Sequence, residues 1–423
     1  MKIKICKVTL YVFLISFIFA QTTFAWVFER RTEQFKKGLA YAVLPVPFSI
    51  PGVGNGLGVG AGAQNIADTY IDVYGLAIFG DVEGQAIGLS DIHLIEKTLI
   101  FDIGYSSISK AAFVINNSRG MDGDEDPDEF NMAEISDSTY LGGQLTLTFF
   151  ERMLESTIQS YRGSGKVETI RDSEGNILAE FEDVEPETSN ITYGNFILDL
   201  TDDRHDPRNG FRTVYSRNFP SGVKDDEVAY YTADINTTIY IPLLTNSTLA
   251  FNYFRSDAYV QQKGETDRDV IAAETGLQDC IAGDTECEEA NEAYIDTIVA
   301  SNKYGNASSL GGLSRLRSFT SMRYRGAHTR FAGAEFRWNL TDEKNTFDIL
   351  FMKDIRTSVQ LAFFHEEGTI ADLVEDLYKE TRRSTGIGIR MVMNSGLVYR
   401  AEYATGEEGG QFVLFLGYPW DIF

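Results

Sequence analysis

The sequence returns repeatedly to a two-residue hydrophobic rhythm, in stretches of about ten residues, the length a tilted strand needs to cross a bilayer. Over residues 330–340, Ala332, Ala334, Phe336, Trp338 and Leu340 share one face, while Gly333, Glu335, Arg337 and Asn339 share the other. Period two places successive side chains on opposite sides of a sheet. The pattern recurs: Leu141, Leu145 and Leu147 oppose Gln144, Thr146 and Thr148, Ile387 and Ile389 oppose Arg390, and Tyr399, Ala401 and Tyr403 oppose Arg400 and Glu402. In a soluble sandwich the apolar face turns inward. In a membrane barrel it meets lipid and the polar face lines a lumen. Charges at mid-strand (Arg337, Arg390, Arg400, Glu402) and aromatic residues near strand ends favour the barrel, with the charges expected to face a wet lumen.

Composition agrees with strands: 29 Phe and 21 Tyr against 9 Pro, with 38 Gly available for turns. Against 37 Lys+Arg stand 62 Asp+Glu, a formal charge of −25, which argues against a broad basic surface for nucleic acid. Lys2, Lys4 and Lys7 precede the apolar run 8–20 and the small-residue site ending at Ala25, the pattern of an export signal over 1–25. No apolar run of 18 residues follows, so an exported chain is periplasmic, secreted or a barrel.

About sixteen strands are expected, near 55–65, 71–81, 84–94, 98–106, 109–117, 139–150, 153–163, 191–201, 210–219, 228–241, 247–260, 329–340, 355–366, 384–393, 396–405 and 411–420. An even count puts both ends in the periplasm. The insert 259–328 then becomes the long sixth extracellular loop, and 80–84 becomes a periplasmic turn. The connection 341–354 is long for the periplasmic side.

The C-terminal half resembles the bacterial surface antigen family of outer-membrane protein insertases, the BamA- and TamA-like barrels. Residues 202–210 (DDRHDPRNG) resemble its periplasmic turn. Leu310-Gly311-Gly312 followed by Leu316-Arg317-Ser318-Phe319 resembles the tip of its sixth loop. Glu335-Phe336-Arg337 and Phe364-His365-Glu366-Glu367-Gly368 resemble elements of the next two strands, and Gly417-Tyr418-Pro419-Trp420 its terminus. The likeness covers about 190–423, and more weakly 41–65, where 45–62 resembles the family's Gly-rich first strand. It implies a transmembrane antiparallel β-barrel, all-β, with the sixth loop folded into the lumen. It also implies a role in outer-membrane protein assembly or transport, with a passive plugged pore or structural barrel as the alternative. Arg317 is expected to reach Glu335, Glu366 or both, because a guanidinium presents five donors in a fork suited to carboxylates. Ser318 stands where the family usually has glycine. Only about fifteen residues separate Ala25 from the first strand region, so no POTRA domain is expected in the short periplasmic segment 26–40 that precedes a barrel over 41–423.

Cys280 and Cys287 remain after signal removal. In an oxidising compartment a disulfide is expected over zinc, since no histidine lies near them. The acidic run 122–129 lacks the spacing of a calcium loop and reads as a solvated face. No hydrolase elbow, Walker loop or zinc-protease motif is present, and the four histidines form no ligand pair, so no enzyme activity, metal or cofactor is expected. The partners expected are outer-membrane lipid and lipopolysaccharide, with unfolded outer-membrane proteins or a separate periplasmic protein as further candidates.

Overall fold

The structure is a computed structural model that describes residues 30–35, 38–115, 119–121, 130–172, 175–181, 185–220, 227–274, 280, 285–341, 347–355, 357–393 and 397–421. The expected export signal and the acidic run 122–129 lie outside the described residues.

Sixteen antiparallel strands follow one another around a closed barrel. They are β1 Ala40–Ile50, β2 Gly54–Gln64, β3 Asp72–Gly80, β4 Glu83–Ile95, β5 Leu99–Ile115, β6 Asn131–Phe149, β7 Leu154–Arg171 and β8 Glu187–Thr201, then β9 Gly210–Pro220, β10 Ala229–Leu244, β11 Ser247–Gln262, β12 His328–Asn339, β13 Thr357–Ala371, β14 Arg382–Met393, β15 Val398–Gly406 and β16 Gly409–Leu416. Short strands decorate two connections: Ile177–Glu180 beside β7, and the ribbon Phe347–Ile349 with Met352–Ile355 between β12 and β13. Odd-to-even connections share one rim, the loop rim. Even-to-odd connections share the other, the turn rim.

The alternation sorts as outward-facing and lumen-facing sets. Trp338, Phe363, Ile389, Tyr403 and Phe412 are exposed on the outer wall, whereas Glu335, Arg337, Arg390, Arg400 and Glu402 are buried inside it. Among the described residues no helix is long and apolar enough to cross a membrane.

The expected strands from β6 onward correspond to those observed. Of the first five, 55–65, 71–81 and 84–94 are β2, β3 and β4, but two errors cancel in the count. The strand Ala40–Ile50 was not expected, and the segments 98–106 and 109–117 are one strand, β5. The region 45–62, expected as one Gly-rich strand, is a β1–β2 hairpin paired from Ala40↔Gln64 to Ile50↔Gly54. Restoring β1 moves the turn at 80–84 to the loop rim. The glycines of β2 make room: a Cβ on Gly56 would lie 2.5 Å from the Phe48 ring and 2.3 Å from the Phe79 carbonyl oxygen.

The loop between β11 and β12 carries two helices the alternation did not reveal, α1 Arg268–Glu274 and α2 Thr285–Tyr304. Cys280 and Cys287 are joined by a disulfide that ties the α1–α2 connection to the first turn of α2. Arg268 pairs with Glu292 and Asp296 across the two helices.

Candidate functional site

Beyond α2 the sixth loop turns down into the lumen. Gly311 and Gly312 (φ +109° and +92°) make the descent, and a Cβ on Gly311 would lie 2.1 Å from the Thr320 carbonyl oxygen. At the tip, Leu316 takes the left-handed conformation (φ 52°) and packs over Gly368. Leu310, Leu316, Phe319 and Tyr324 form one buried apolar cluster with Phe254, Phe331 and Trp420. The positive φ falls at Leu316 and not at Ser318, so position 318 needs no glycine. Ser318 also gains a partner, its backbone N–H donating to Ser384 Oγ at 3.0 Å and its hydroxyl meeting the same oxygen at 2.5 Å.

Arg317 lies at the centre and is fully buried. Its backbone N–H donates to Glu366 Oε2 at 3.0 Å and its Nε to Glu366 Oε1 at 2.9 Å. Its Nη1 donates to Glu402 Oε2 at 2.7 Å and its Nη2 reaches Glu335 Oε2 at 3.5 Å. The guanidinium also lies 3.4 Å from the centre of the Phe364 ring. One loop side chain thus addresses carboxylates on β12, β13 and β15.

Glu402 was not expected as a partner of Arg317, although its inward position was legible. The strand charges do not face open water at this level; they bond to one another. Arg390 donates to Glu335 at 2.7 and 2.6 Å and from Nε to Glu402 at 3.0 Å, and Arg337 donates to Glu335 at 2.7 Å. Arg400 donates to Glu402 and to the Leu313 carbonyl oxygen. Four guanidiniums therefore meet three carboxylates, a balance that makes buried charge tolerable only while every partner stays in place. Trp420 closes the set: its Nε1 donates to Glu366 Oε1 at 3.2 Å, and its carbonyl accepts from Asn236 Nδ2 at 2.7 Å.

At the turn rim the motif at 202–210 is held by its own carboxylates. Asp202 Oδ1 accepts the backbone N–H groups of Arg208 and Asn209, and Asp203 Oδ1 those of His205 and Asp206. Residues 30–35 dock against it. Arg30 donates to the Thr201 carbonyl at 2.9 Å, Arg31 Nε to Asp202 at 3.1 Å, and Thr32 Oγ1 to Asp203 at 2.6 Å. Burial pushes the Asp203 carboxyl up, but the bonds from Thr32 and the His205 N–H, with the Arg31 charge, hold it below its ordinary 3.8. A depressed carboxylate stabilises above its unfolded pKa, and that stabilisation is lost as pH falls below it. Amide protection of residues 30–35 should therefore persist from pH 7 to about 4 and fall below that. Asp203→Ala should lower it at least tenfold already at pH 7, through loss of the Thr32 hydrogen bond to a charged carboxylate, worth ~1.5–3 kcal/mol. Hydrogen exchange corrected for intrinsic rates measures both.

The barrel seam is the second notable feature. β1 pairs with β2 along its whole length but meets β16 only at Ser49↔Leu414. After Leu416 the chain leaves the wall at Gly417 (φ +84°) and turns inward, where Tyr418 OH donates to Asp206 at 3.0 Å.

Fold and lumen together define a sixteen-stranded barrel of outer-membrane type, filled at its middle by its own sixth loop. No protein-family model matches the sequence, and no curated protein does. Among solved structures, BamA from Haemophilus ducreyi lacking POTRA domains 1-3 is similar at 12% identity, over 90% of this chain and 69% of that one, with a TM-score of 0.47. CdiB from Acinetobacter baumannii (10% identity, 90% and 60% covered, TM-score 0.48) and CdiB from Escherichia coli (9%, 90% and 62%, TM-score 0.45) are similar too. The chain spans about 60% of the length of the two CdiB chains. The likeness is one of fold; strand count and closure rest on this chain's own pairing.

Proposed function

We propose that this chain is a bacterial outer-membrane barrel that assists the assembly or transport of other proteins, working through strand pairing at its seam. The observation that carries the reading is the single paired position, Ser49↔Leu414, between first and last strands. A sheet edge with unmet N–H and C=O groups is a template for an incoming strand. Every other neighbouring pair of wall strands shares a ladder of seven positions or more, and the locked loop supports β12 to β15 from within, so opening is confined to one place. In this reading the loop rim faces the exterior, the turn rim faces the periplasm, and the outer wall contacts lipid and lipopolysaccharide. Unfolded outer-membrane proteins are the substrates, delivered by a separate periplasmic partner if one is needed. No catalytic residue is required.

The test uses the purified barrel in liposomes with a urea-unfolded barrel substrate. Insertion should be accelerated, abolished when Ser49→Cys and Leu414→Cys are oxidised to a disulfide, and recovered on reduction. An unaccelerated reaction with a verified folded barrel would sink the reading. It would favour the second one, a plugged structural barrel or pore, whose support is the buried Arg–Glu network across the lumen; single-channel conductance then decides whether it conducts.

A further inference from the structure

The open edge of β1 is not equally open along its length. N–H and C=O groups of alternate residues point to the same side of a strand. Val43 donates its N–H to the Phe351 carbonyl oxygen at 3.1 Å, away from β2 and towards the seam. The seam-facing positions of β1 are therefore Tyr41, Val43, Pro45, Pro47 and Ser49. Ser49 is the position paired with β16. Pro45 and Pro47 have no N–H to offer, and proline on an edge blocks strand addition. The Pro47 carbonyl, pointing the same way, accepts from Tyr399 OH at 2.6 Å. Only Tyr41 and Val43, near the turn rim, remain as ladder donors.

Those two positions are occupied. The ribbon between β12 and β13 pairs with β1 antiparallel, at Tyr41↔Lys353 and Ala42↔Met352. It sits where β16 would have continued had the chain not left the wall at Gly417. This accounts for the length of the connection at 341–354, which is otherwise excessive for the turn rim. Its tip is not anchored by burial: Leu350 and Phe351 are 89% and 65% exposed.

We infer that the ribbon Phe347–Ile355 is a resident substitute strand, which fills the one strand-accepting stretch of the seam and must leave before an extended segment of another protein can pair there. The inference rests on the assembly reading for its purpose, but not for its test. A two-position ladder on a ribbon with an exposed tip suits an occupant that is displaced: it prevents adventitious edge pairing and yields to a longer strand that offers more bonds.

The experiment joins Ala42→Cys to Met352→Cys in the full chain, folded in detergent, and compares it with Lys353→Pro, which removes a ladder donor without cross-linking. The probe is a fluorescent peptide carrying residues 409–416 of this chain, the strand that already meets this seam. Oxidation should cross-link the cysteine pair rapidly in the folded barrel and reduce peptide binding at least tenfold, with recovery on reduction. Lys353→Pro should tighten binding at least tenfold over the unmodified barrel. Failure of the cross-link to form, or equal peptide binding in all forms, overturns the inference. Peptide competition in a barrel that does not accelerate insertion would support the ribbon's assignment while sinking the assembly reading.

Discussion

Replacing Arg317 by alanine is expected to release the sixth loop from the lumen. The substitution removes the loop cation that bonds Glu335, Glu366 and Glu402 and leaves buried carboxylates short of donors. Breaking a buried ion network by deleting one partner costs about 3–5 kcal/mol, mostly through the charge left behind. The neutral contacts of Leu310, Leu316 and Phe319 remain, so the loop should loosen while the sheet survives. Protease cleavage within 305–328 should become at least a hundredfold faster. Arg317→Lys should rescue little, because an ammonium is a compact point charge and cannot present the fork that spans three carboxylates. A loop equally resistant in Arg317→Ala would mean the apolar tip, not the guanidinium, holds it.

Trp420→Ala should have the second largest effect, and on the barrel itself. The indole is 2% exposed and fills the space above Gly333, where a Cβ would lie 2.6 Å from its ring. Deleting a buried aromatic ring costs about 3–5 kcal/mol through transfer and cavity terms. Here it also removes the donor to Glu366. The urea midpoint of the refolded barrel should fall. Trp420→Phe keeps most of the apolar volume and loses the N–H, so its cost should be smaller, about 1–3 kcal/mol. Equal midpoints for the two variants would assign the effect to the hydrogen bond rather than to packing.

How much of this was legible in advance depended on whether one strand carried its own evidence. From β6 onward, alternation marks each strand because one wall is apolar and the other polar. β1 escaped because Pro45 and Pro47 disguise it, and proline is tolerated there only because its missing N–H faces the seam, a fact about neighbours rather than about the segment. β5 seemed two strands because Ser106, Ser107 and Ser109 interrupt its apolar rhythm beyond the lipid-crossing length. The locking motif was visible as a resemblance, with Glu335 and Glu366 named. Glu402 as a third carboxylate was not, since no local pattern says that β15 brings its charge to the level of β12. Helices α1 and α2 left no two-residue signal and lie where alternation is silent.

The single position joining β1 to β16 also bears on the order in which the molecule comes together. Residues 49 and 414 stand at opposite ends of the chain, and the entropy of closing so long a circuit grows with the logarithm of its length. One paired position does not offset that loss, whereas hairpins between sequence neighbours form over short distances. The carboxylates that hold the tip of the sixth loop stand on β12, β13 and β15, strands that are joined to one another through β14 without any use of the seam. The loop tip can therefore be captured against β12, β13 and β15 while the sheet is still an open curl, and the entropy argument puts closure of the circle last.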